Sequence, residues 1–175
     1  KNVIPSLYWG FGNTFTYKNW DLDVFIYSQL GVDKYNDVYS WTSGRGLGNQ
    51  TNNMSVYIKD VWHSELNPNG TIPGIAYEMA SVSLPGGAGT DIGYENSSFV
   101  RVRNITLGYN FKPNQLGALS KLLSGIRVYV DVQNPFTFTG YTGLDPEVNT
   151  GGNYKGGKAE YPQTRTFSLG AKLSF

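Results

Sequence analysis

The chain lacks cysteine and has one histidine among its 175 residues, so neither a disulfide framework nor a Cys/His zinc site is available. It has no run of about 18 apolar residues, which excludes a transmembrane helix. Its formal net charge is only +1, so the composition does not favour nucleic acid as a partner. The sequence begins without the apolar core of a signal peptide, as if within a loop, and we expect it to be part of a longer chain.

Aromatic residues and glycine are abundant instead. Phe, Trp and Tyr make up 15% of the chain, and there are 22 Gly. This composition is typical of short β-strands joined by long loops. Apolar and polar residues alternate in five stretches, each predicted as a strand: about 6–17, 20–30, 98–111, 126–138 and 161–175.

The segments between the predicted strands differ greatly in length. Residues 18–19 form a tight turn, whereas residues 31–97 and 139–160 form two long loops. The connection 112–124 contains leucines spaced for one short amphipathic helix, and Gly125 follows it as a stop signal.

The last predicted strand ends on an aromatic residue and has one apolar face. Counting back by twos from the end gives Phe175, Leu173, Ala171, Leu169 and Phe167. A soluble sandwich has no need for an exposed terminal Phe, but the last strand of an outer-membrane barrel must be recognised by the insertion machinery and must then close the sheet. We therefore predict an all-β fold, a transmembrane antiparallel β-barrel. We assign Gly170, Leu173 and Phe175 to an assembly signal read by the barrel assembly machinery; the alternative is that they are merely lipid-facing positions.

Short turns and long loops alternate along the predicted strands. If the C-terminus is periplasmic, the connections 18–19 and 112–124 are periplasmic too, and both long loops are extracellular, which is the asymmetry expected of such barrels. Five strands cannot close a barrel of this kind, so we expect the remaining strands to lie N-terminal of Lys1.

Two arginines break the alternation of the third strand. Strict alternation would place Arg101 and Arg103 on the apolar face, where hydrocarbon penalises charge. Either the upper part of the strand has left the bilayer, or a bulge changes the register. We favour the first interpretation, because the predicted strand is longer than an apolar band of about 25 Å requires.

Four stretches carry a family resemblance: FGNTFTYKNWDL (11–22), SFVRVRNITLGY (98–109), RVYVDVQNPFTFTGY (127–141) with LDPEV (144–148), and YPQTRTFSLG (161–170). The last three closely resemble the C-terminal end of SusC/RagA-type TonB-dependent outer-membrane transporters of Bacteroidetes, and the first is similar to an earlier hairpin of that family. The resemblance covers nearly the whole chain in the same order and spacing.

The resemblance implies a barrel of about 22 strands filled by an N-terminal plug. Such a transporter takes up oligosaccharides or peptides with energy from the TonB complex, and a SusD-like surface lipoprotein forms a lid over its extracellular loops. On this basis the chain is the last five strands of the barrel, without the plug and the remaining strands. The resemblance implies no cofactor, and it places the protein in the outer membrane.

Several loop and strand residues are candidates for binding. Aromatic residues in the predicted outer loops are candidates to stack on sugar rings or to contact the lid, the alternative being that they pack within the loops: Trp41, Trp62, Tyr141 and Tyr154. Asp145 and Glu147 flank Pro146 and form either a weak calcium site or a structural turn. Asp21 and Asp23 are a carboxylate pair without a nearby base, which we expect to be solvated or to meet plug residues rather than to catalyse a reaction.

Two other classes of protein fit parts of the sequence. A secreted carbohydrate-binding β-sandwich would show similar alternation, but it would bury the apolar face in protein rather than in lipid. A barrel that assists protein export or assembly would share the same wall and differ in the plug. An enzyme is disfavoured, because the sequence offers no nucleophile-base or acid-base constellation.

Overall fold

The computed structural model describes residues 1–36, 55–72, 93–148 and 161–175. Its strands are β1 Leu7–Tyr17, β2 Trp20–Leu30, β3 Asp33–Tyr35, β4 Tyr94–Asn96, β5 Phe99–Phe111, β6 Gly125–Thr139 and β7 Thr166–Ser174. Five of them form one antiparallel sheet in the order β1-β2-β5-β6-β7, and β3 pairs with β4 in a separate two-stranded sheet. The protein is therefore all-β, as predicted.

The chain divides into two compact units. One contains the five-stranded sheet and comprises Pro5–Leu30, Ser98–Thr139 and Gln163–Phe175; we call it the sheet unit. The other comprises Lys1–Ile4, Gly31–Ser97 and Gly140–Pro162; we call it the loop unit.

The hairpin β1-β2 pairs without interruption from Leu7 opposite Leu30 to Tyr17 opposite Trp20. Of the two turn residues, Lys18 has a positive φ of 58°, as the first residue of a type II′ turn does. Such turns match the natural twist of the paired strands, which explains how a two-residue connection joins two strands of this length.

A row of irregular pairing crosses the middle strands of the sheet. Phe25 and Ile26 of β2 face Asn104 and Val102 of β5, so Arg103 is an extra residue in β5. The same two β5 residues face Gln133 and Phe136 of β6, so β6 carries one further extra residue in this row.

This row corrects the interpretation of the two arginines. The bulge at Arg103 reverses the side of the residues before it, so that Val102 is level with Ile26 and Arg101 with Tyr27. Arg101 therefore lies on the polar face. The bulge that the sequence left as the second alternative is the one observed, and it removes the reason for placing the upper strand outside the bilayer.

The connection between β5 and β6 is not the single amphipathic helix that we predicted. It contains two short 3-10 helices, Pro113–Gln115 and Gly117–Lys121. Gly117 has a φ of +55°, which ends the first turn before an α-helix can propagate. A segment this short also gains little from helical hydrogen bonds.

Strand β7 begins at Thr166, five residues after the start of the predicted strand at Tyr161. Its pairing with β6 ends at Gln133 opposite Thr166. Beyond this point Asn134 has a φ of 50°, and its side-chain amide donates to the Thr164 carbonyl at 3.0 Å instead of continuing the ladder.

The loop unit contains small elements that the sequence did not specify. Besides β3 and β4, its described residues contain a 3-10 helix, Val56–Asp60. Backbone bonds tie the segment after this helix to itself: Trp62 donates to Ile72 at 2.7 Å, and His63 and Asn67 exchange bonds of 3.0 Å.

Candidate functional site

One face of the five-stranded sheet is apolar across every strand. Register and pleat place these side chains on it: Leu7, Trp9, Phe11, Phe15, Tyr17, Trp20, Leu22, Val24, Ile26, Leu30, Val100, Val102, Ile105, Leu107, Tyr109, Phe111, Ile126, Val128, Val130, Val132, Phe136, Phe138, Phe167, Leu169, Ala171 and Leu173. The two polar members are Asn13 and Ser28; Ser28 is buried, and its hydroxyl donates to the Phe99 carbonyl at 2.6 Å.

The apolar face is largely uncovered by the described residues. Phe138 is 63% exposed, Phe167 69% and Leu169 77%. Among the described residues, the buried hydrophobic side chains are Val32, Phe99 and Leu123. A continuous apolar surface of this extent is not a stable surface in water, whereas it is what a strand wall presents to hydrocarbon.

Aromatic rings cluster where the apolar face reaches the hairpin turn. Tyr109 packs edge-on against Trp20 at 4.8 Å and against Phe111 at 4.7 Å between ring centroids. The Tyr109 hydroxyl accepts from Gln115 at 3.3 Å and from Asn19 at 3.4 Å. Rings with one apolar body and one polar end are typical of the membrane-water interface.

The opposite face is polar, and its charges are paired across three strands. The Arg127 guanidinium on β6 reaches over Gly108 of β5 to Asp21 of β2, with Nε 3.2 Å from each carboxylate oxygen and a closer contact from Nη2. Asn110 also donates to Asp21, at 2.5 Å. Asp23 lies 3.9 Å from Arg127 and accepts the Thr14 hydroxyl.

This network excludes the first of the two expectations for Asp21, a simply solvated carboxylate, and contact with a plug residue stays a prediction. Its side chain is only 14% exposed because Arg127 covers it. Sequence reasoning missed the pair, since the partners are 106 positions apart. The glycine at 108 was the available signal: a Cβ there would overlap the Asp21 carboxylate and the Arg127 guanidinium as they are placed, so the observed pair closes over a residue without a side chain.

A second glycine on the polar face is covered by a ring. Gly170 of β7 pairs with Tyr129 of β6, and a Cβ at 170 would overlap the Tyr129 ring. The Tyr129 ring also has the Arg127 guanidinium beside it, with Cζ 5.0 Å from the ring centroid. Gly108, Tyr129 and Gly170 thus lie side by side on three adjacent strands.

The other two residues of the expected assembly signal are Leu173, near the C-terminal end of β7, and Phe175, directly after it. Leu173 faces Ile126 on the apolar face and is 50% exposed, and Phe175 is 82% exposed. Ser124 holds the end of the strand, donating from its amide to the Ser174 carbonyl at 2.8 Å and from its hydroxyl to the Phe175 carbonyl at 3.2 Å. The structure therefore separates Gly170, on the polar face, from Leu173 on the apolar face.

Beyond the bulge, the polar face carries arginine and aromatic side chains. Arg101 is 1% exposed, donates from Nε to the Thr137 hydroxyl at 2.9 Å and lies 5.3 Å from the Phe99 ring. Arg103 lies 5.8 Å from the Tyr27 ring, and Tyr27 packs edge-on against Phe99 at 5.4 Å. Both arginines are thus held by neighbours on this face rather than exposed to hydrocarbon.

In the loop unit, a carboxylate joins segments that are distant in sequence. Glu95 accepts from the Asn36 amide at 2.9 Å and from the Thr142 backbone and hydroxyl at 2.9 and 2.8 Å. Lys34 donates to the Asp145 carbonyl at 3.2 Å and lies 5.7 Å from the Tyr141 ring. Asn36 is 2% and Asp145 6% exposed, so this polar cluster includes two buried residues of the loop unit.

The predicted loop sites fall in different places. Trp41 and Tyr154 lie outside the described residues. Trp62 is 48% exposed, and Tyr141 contacts Lys34 within the loop unit, as the packing alternative predicts. Whether any of the four binds a ligand or a lid stays a prediction.

Asp145 takes part in a turn of its own. Its Oδ1 accepts from the Glu147 amide at 2.8 Å, which is the geometry of an Asx turn. Within the described ranges there is no group of three or more His, Cys, Asp or Glu side chains arranged to hold a metal. In the same part of the chain, no helix has the length and apolar character needed to cross a membrane.

Comparison with known proteins identifies sequence relatives for almost the whole chain, although no protein-family model matches it. The chain is 31% identical over 179 residues to the TonB-dependent receptor P3 of Formosa agariphila, a match that covers 98% of this chain and 16% of that protein. It is 33% identical over 168 residues to the TonB-dependent receptor SusC of Bacteroides thetaiotaomicron, with 95% of this chain and 15% of SusC covered.

Solved structures agree with the sequence relatives. A structure of the RagAB peptide importer in the "closed-closed" state matches with a TM-score of 0.78 at 26% identity, covering 100% of this chain and 18% of that one. Its "open-open" state gives a TM-score of 0.73 at the same identity and coverage. The chain thus spans less than a fifth of the length of these proteins. It belongs to the SusC/RagA type of TonB-dependent outer-membrane receptors.

Proposed function

We propose that the sheet unit forms part of the barrel wall of a TonB-dependent outer-membrane importer and that the loop unit forms part of its external vestibule. The observation that carries the proposal is the apolar face, which runs in register across all five strands and stays uncovered by the described residues. The relatives support it, since they are receptors and an importer rather than enzymes.

We further propose the sidedness of the wall. The hairpin turn, the 112–124 connection and the end of β7 lie at one end of the sheet, and the long segments 31–97 and 140–165 leave from the other. Short connections face the periplasm in such barrels, which would make the C-terminus periplasmic and both long segments extracellular.

Cysteine labelling in intact cells tests this arrangement. The chain has no cysteine of its own, so single substitutions within it report one position each. In the full-length protein, Leu66→Cys, at a position 85% exposed, should react with a membrane-impermeant maleimide, and Lys18→Cys only after the cells are opened. The reverse pattern would overturn the sidedness.

A single cysteine also separates a membrane wall from a soluble sandwich. A nitroxide attached to Leu169→Cys before the protein is folded into vesicles should be relaxed by dissolved oxygen and not by a water-soluble nickel chelate, because hydrocarbon covers the apolar face. A water-soluble protein that folds without detergent, with Leu169→Cys buried against a second sheet, would favour the carbohydrate-binding sandwich instead.

Substrate and partners are proposed for the whole transporter. We expect it to import oligosaccharides or peptides, with a SusD-like surface lipoprotein over the outer loops and the TonB complex acting through a segment outside this chain. A tagged full-length protein should co-purify with the lipoprotein, and cells lacking the transporter should lose growth on one of the two substrate classes. Unchanged uptake together with a defect in protein secretion would favour the export role.

A further inference from the structure

We propose that the turn end of the sheet unit, residues 17–20 and 111–125, binds the phosphate headgroups of anionic phospholipids. The inference rests on the proposed function, because it requires the sheet to stand in a membrane. It goes further by assigning a lipid-binding site to the connection between β5 and β6 and to the hairpin turn beside it.

Two leucines of the connection are exposed on the same side. Leu119 is 54% and Leu122 68% exposed, and the Leu122 amide donates to the Leu119 carbonyl at 3.0 Å. In this 3-10 geometry, side chains three residues apart lie over one another. Leu123 is buried and packs the connection against the protein. Leu119 and Leu122 are therefore free to contact acyl chains at the edge of the bilayer.

A side-chain amide holds the hairpin turn against the connection. Gln115 Oε1 accepts from the Asn19 side chain at 2.7 Å and from the Lys112 amide at 3.0 Å. Lys18 precedes Asn19 in the turn, and its Nζ lies 5.2 Å from the Tyr17 ring centroid. The Tyr109 hydroxyl is bonded to the same two amide side chains, which sets the polar end of the aromatic cluster at the level of the turn.

The charged side chains of the turn end are all basic. Lys18, Lys112 and Lys121 are all exposed, and the sequence contains no Asp or Glu between residues 96 and 130. Asp21, the nearest acidic residue to the turn, lies on the polar face and is paired with Arg127. Exposed lysines beside inserted apolar side chains attract anionic headgroups, by about a factor of five in affinity per lysine.

Lipid binding to the purified full-length protein tests the proposal. Native mass spectrometry in detergent would titrate phosphatidylglycerol, with phosphatidylcholine as the neutral comparison. We expect Lys112→Gln with Lys121→Gln to weaken phosphatidylglycerol binding by about 25-fold, and the single change Lys18→Gln, in an exposed turn, by about fivefold. Phosphatidylcholine binding should change little. The control pair is Lys1→Gln with Lys59→Gln, which removes the same charge from exposed positions of the loop unit and should leave binding unchanged.

The outcomes separate this inference from the proposed function. Failure of the wild-type protein to assemble in membranes would overturn the barrel itself. Normal assembly with unchanged phosphatidylglycerol binding in both lysine variants would overturn only the lipid site, as would an equal loss in the control pair.

Two further results would assign the surface to another ligand. Complete competition by millimolar inorganic phosphate would identify a free-anion site, and loss of a co-purifying protein with lipid binding intact would identify a protein-docking surface. Either result would also contradict the lipid site.

Discussion

The apolar face of the sheet varies in side-chain size and shape from strand to strand, whereas the polar face contains side chains that fit one another. On the apolar face Phe15, Leu22 and Leu107 are level with one another on three adjacent strands, and their side chains carry no hydrogen-bonding group or charge. On the polar face Arg127 reaches Asp21 across Gly108, and the Tyr129 ring covers Gly170.

This difference follows from what each face meets. Hydrocarbon is a uniform solvent, so it requires apolar character but not a particular partner. The polar side chains can bond to one another across strands, and those that are partly buried, such as Asp21, satisfy their hydrogen bonds within the sheet. Substitutions should therefore act through polarity on one face and through fit on the other.

The largest effect is expected from a charge placed on the apolar face. Leu169→Lys in the full-length protein should lower the free energy of unfolding in vesicles by about 2–4 kcal/mol, because a lysine near mid-bilayer must be desolvated. Ser168→Lys, the next residue on the same strand, faces Asp131 and should cost less than about 0.5 kcal/mol. The fraction of folded protein at each urea concentration can be measured from the gel mobility of unheated samples. Equal losses of stability in the two variants would show that both faces meet the same solvent.

The ion pair on the polar face should come next. Arg127→Ala leaves a carboxylate that is only 14% exposed without its main donor, and we expect a loss of about 1–3 kcal/mol. A double-mutant cycle with Asp21→Ala should give a coupling of about 1–2 kcal/mol. Arg165→Ala, in an exposed segment, serves as the control and should change little. Strictly additive single effects would mean that the pair contributes nothing beyond its separate residues.

Gly170 tests fit rather than polarity. Gly170→Ala should cost about 1–3 kcal/mol, because the new methyl group overlaps the Tyr129 ring. The second change Tyr129→Ala should recover part of this loss. Gly140→Ala adds a methyl group that meets nothing within 4 Å and should be neutral. Insertion by the assembly machinery should also be measured with Gly170→Ala in a Tyr129→Ala background. If insertion is still slowed there, the machinery recognises the glycine itself, and the role of Gly170 is not only to make room for the Tyr129 ring.

The smallest effect should come from the backbone at the bulge of β6. Asn134 has a φ of 50°, so Asn134→Val should cost about 1–2 kcal/mol. Asn134→Gly should stay within about 0.5 kcal/mol of the wild type, since glycine adopts this conformation freely. Similar stabilities for both variants would show that the positive φ is not what the position requires.

Period-two patterning was sufficient to predict the all-β class and the two faces of β1 and β2, because neither strand contains an extra residue. It failed for β5, where one inserted residue moves Arg101 to the opposite face. Alternation does not reveal an inserted residue unless it places a charged side chain on the apolar face, as it does for Arg101 and Arg103. The sequence interpretation explains these two arginines by the edge of the bilayer, whereas the structure explains them by a bulge in the backbone.

The candidate sites were less predictable, because they depend on pairs that are far apart in sequence. Asp21 and Gly170 were noticed as single residues, but their partners Arg127 and Tyr129 are known only once the strand register is known. The Glu95 cluster was missed entirely, since Asn36 and Thr142 are ordinary loop residues until the loops are brought together.

The row of bulges also has a geometric consequence. Between the same two levels of the sheet, the backbone advances by one residue in β2, from Phe25 to Ile26, by two in β5, from Asn104 to Val102, and by three in β6, from Gln133 to Phe136. From β2 to β5 to β6, each strand thus uses one residue more than its neighbour to cross this row. Because bulged strands bend and twist more strongly than regular ones, we expect this row to be where the sheet curves most.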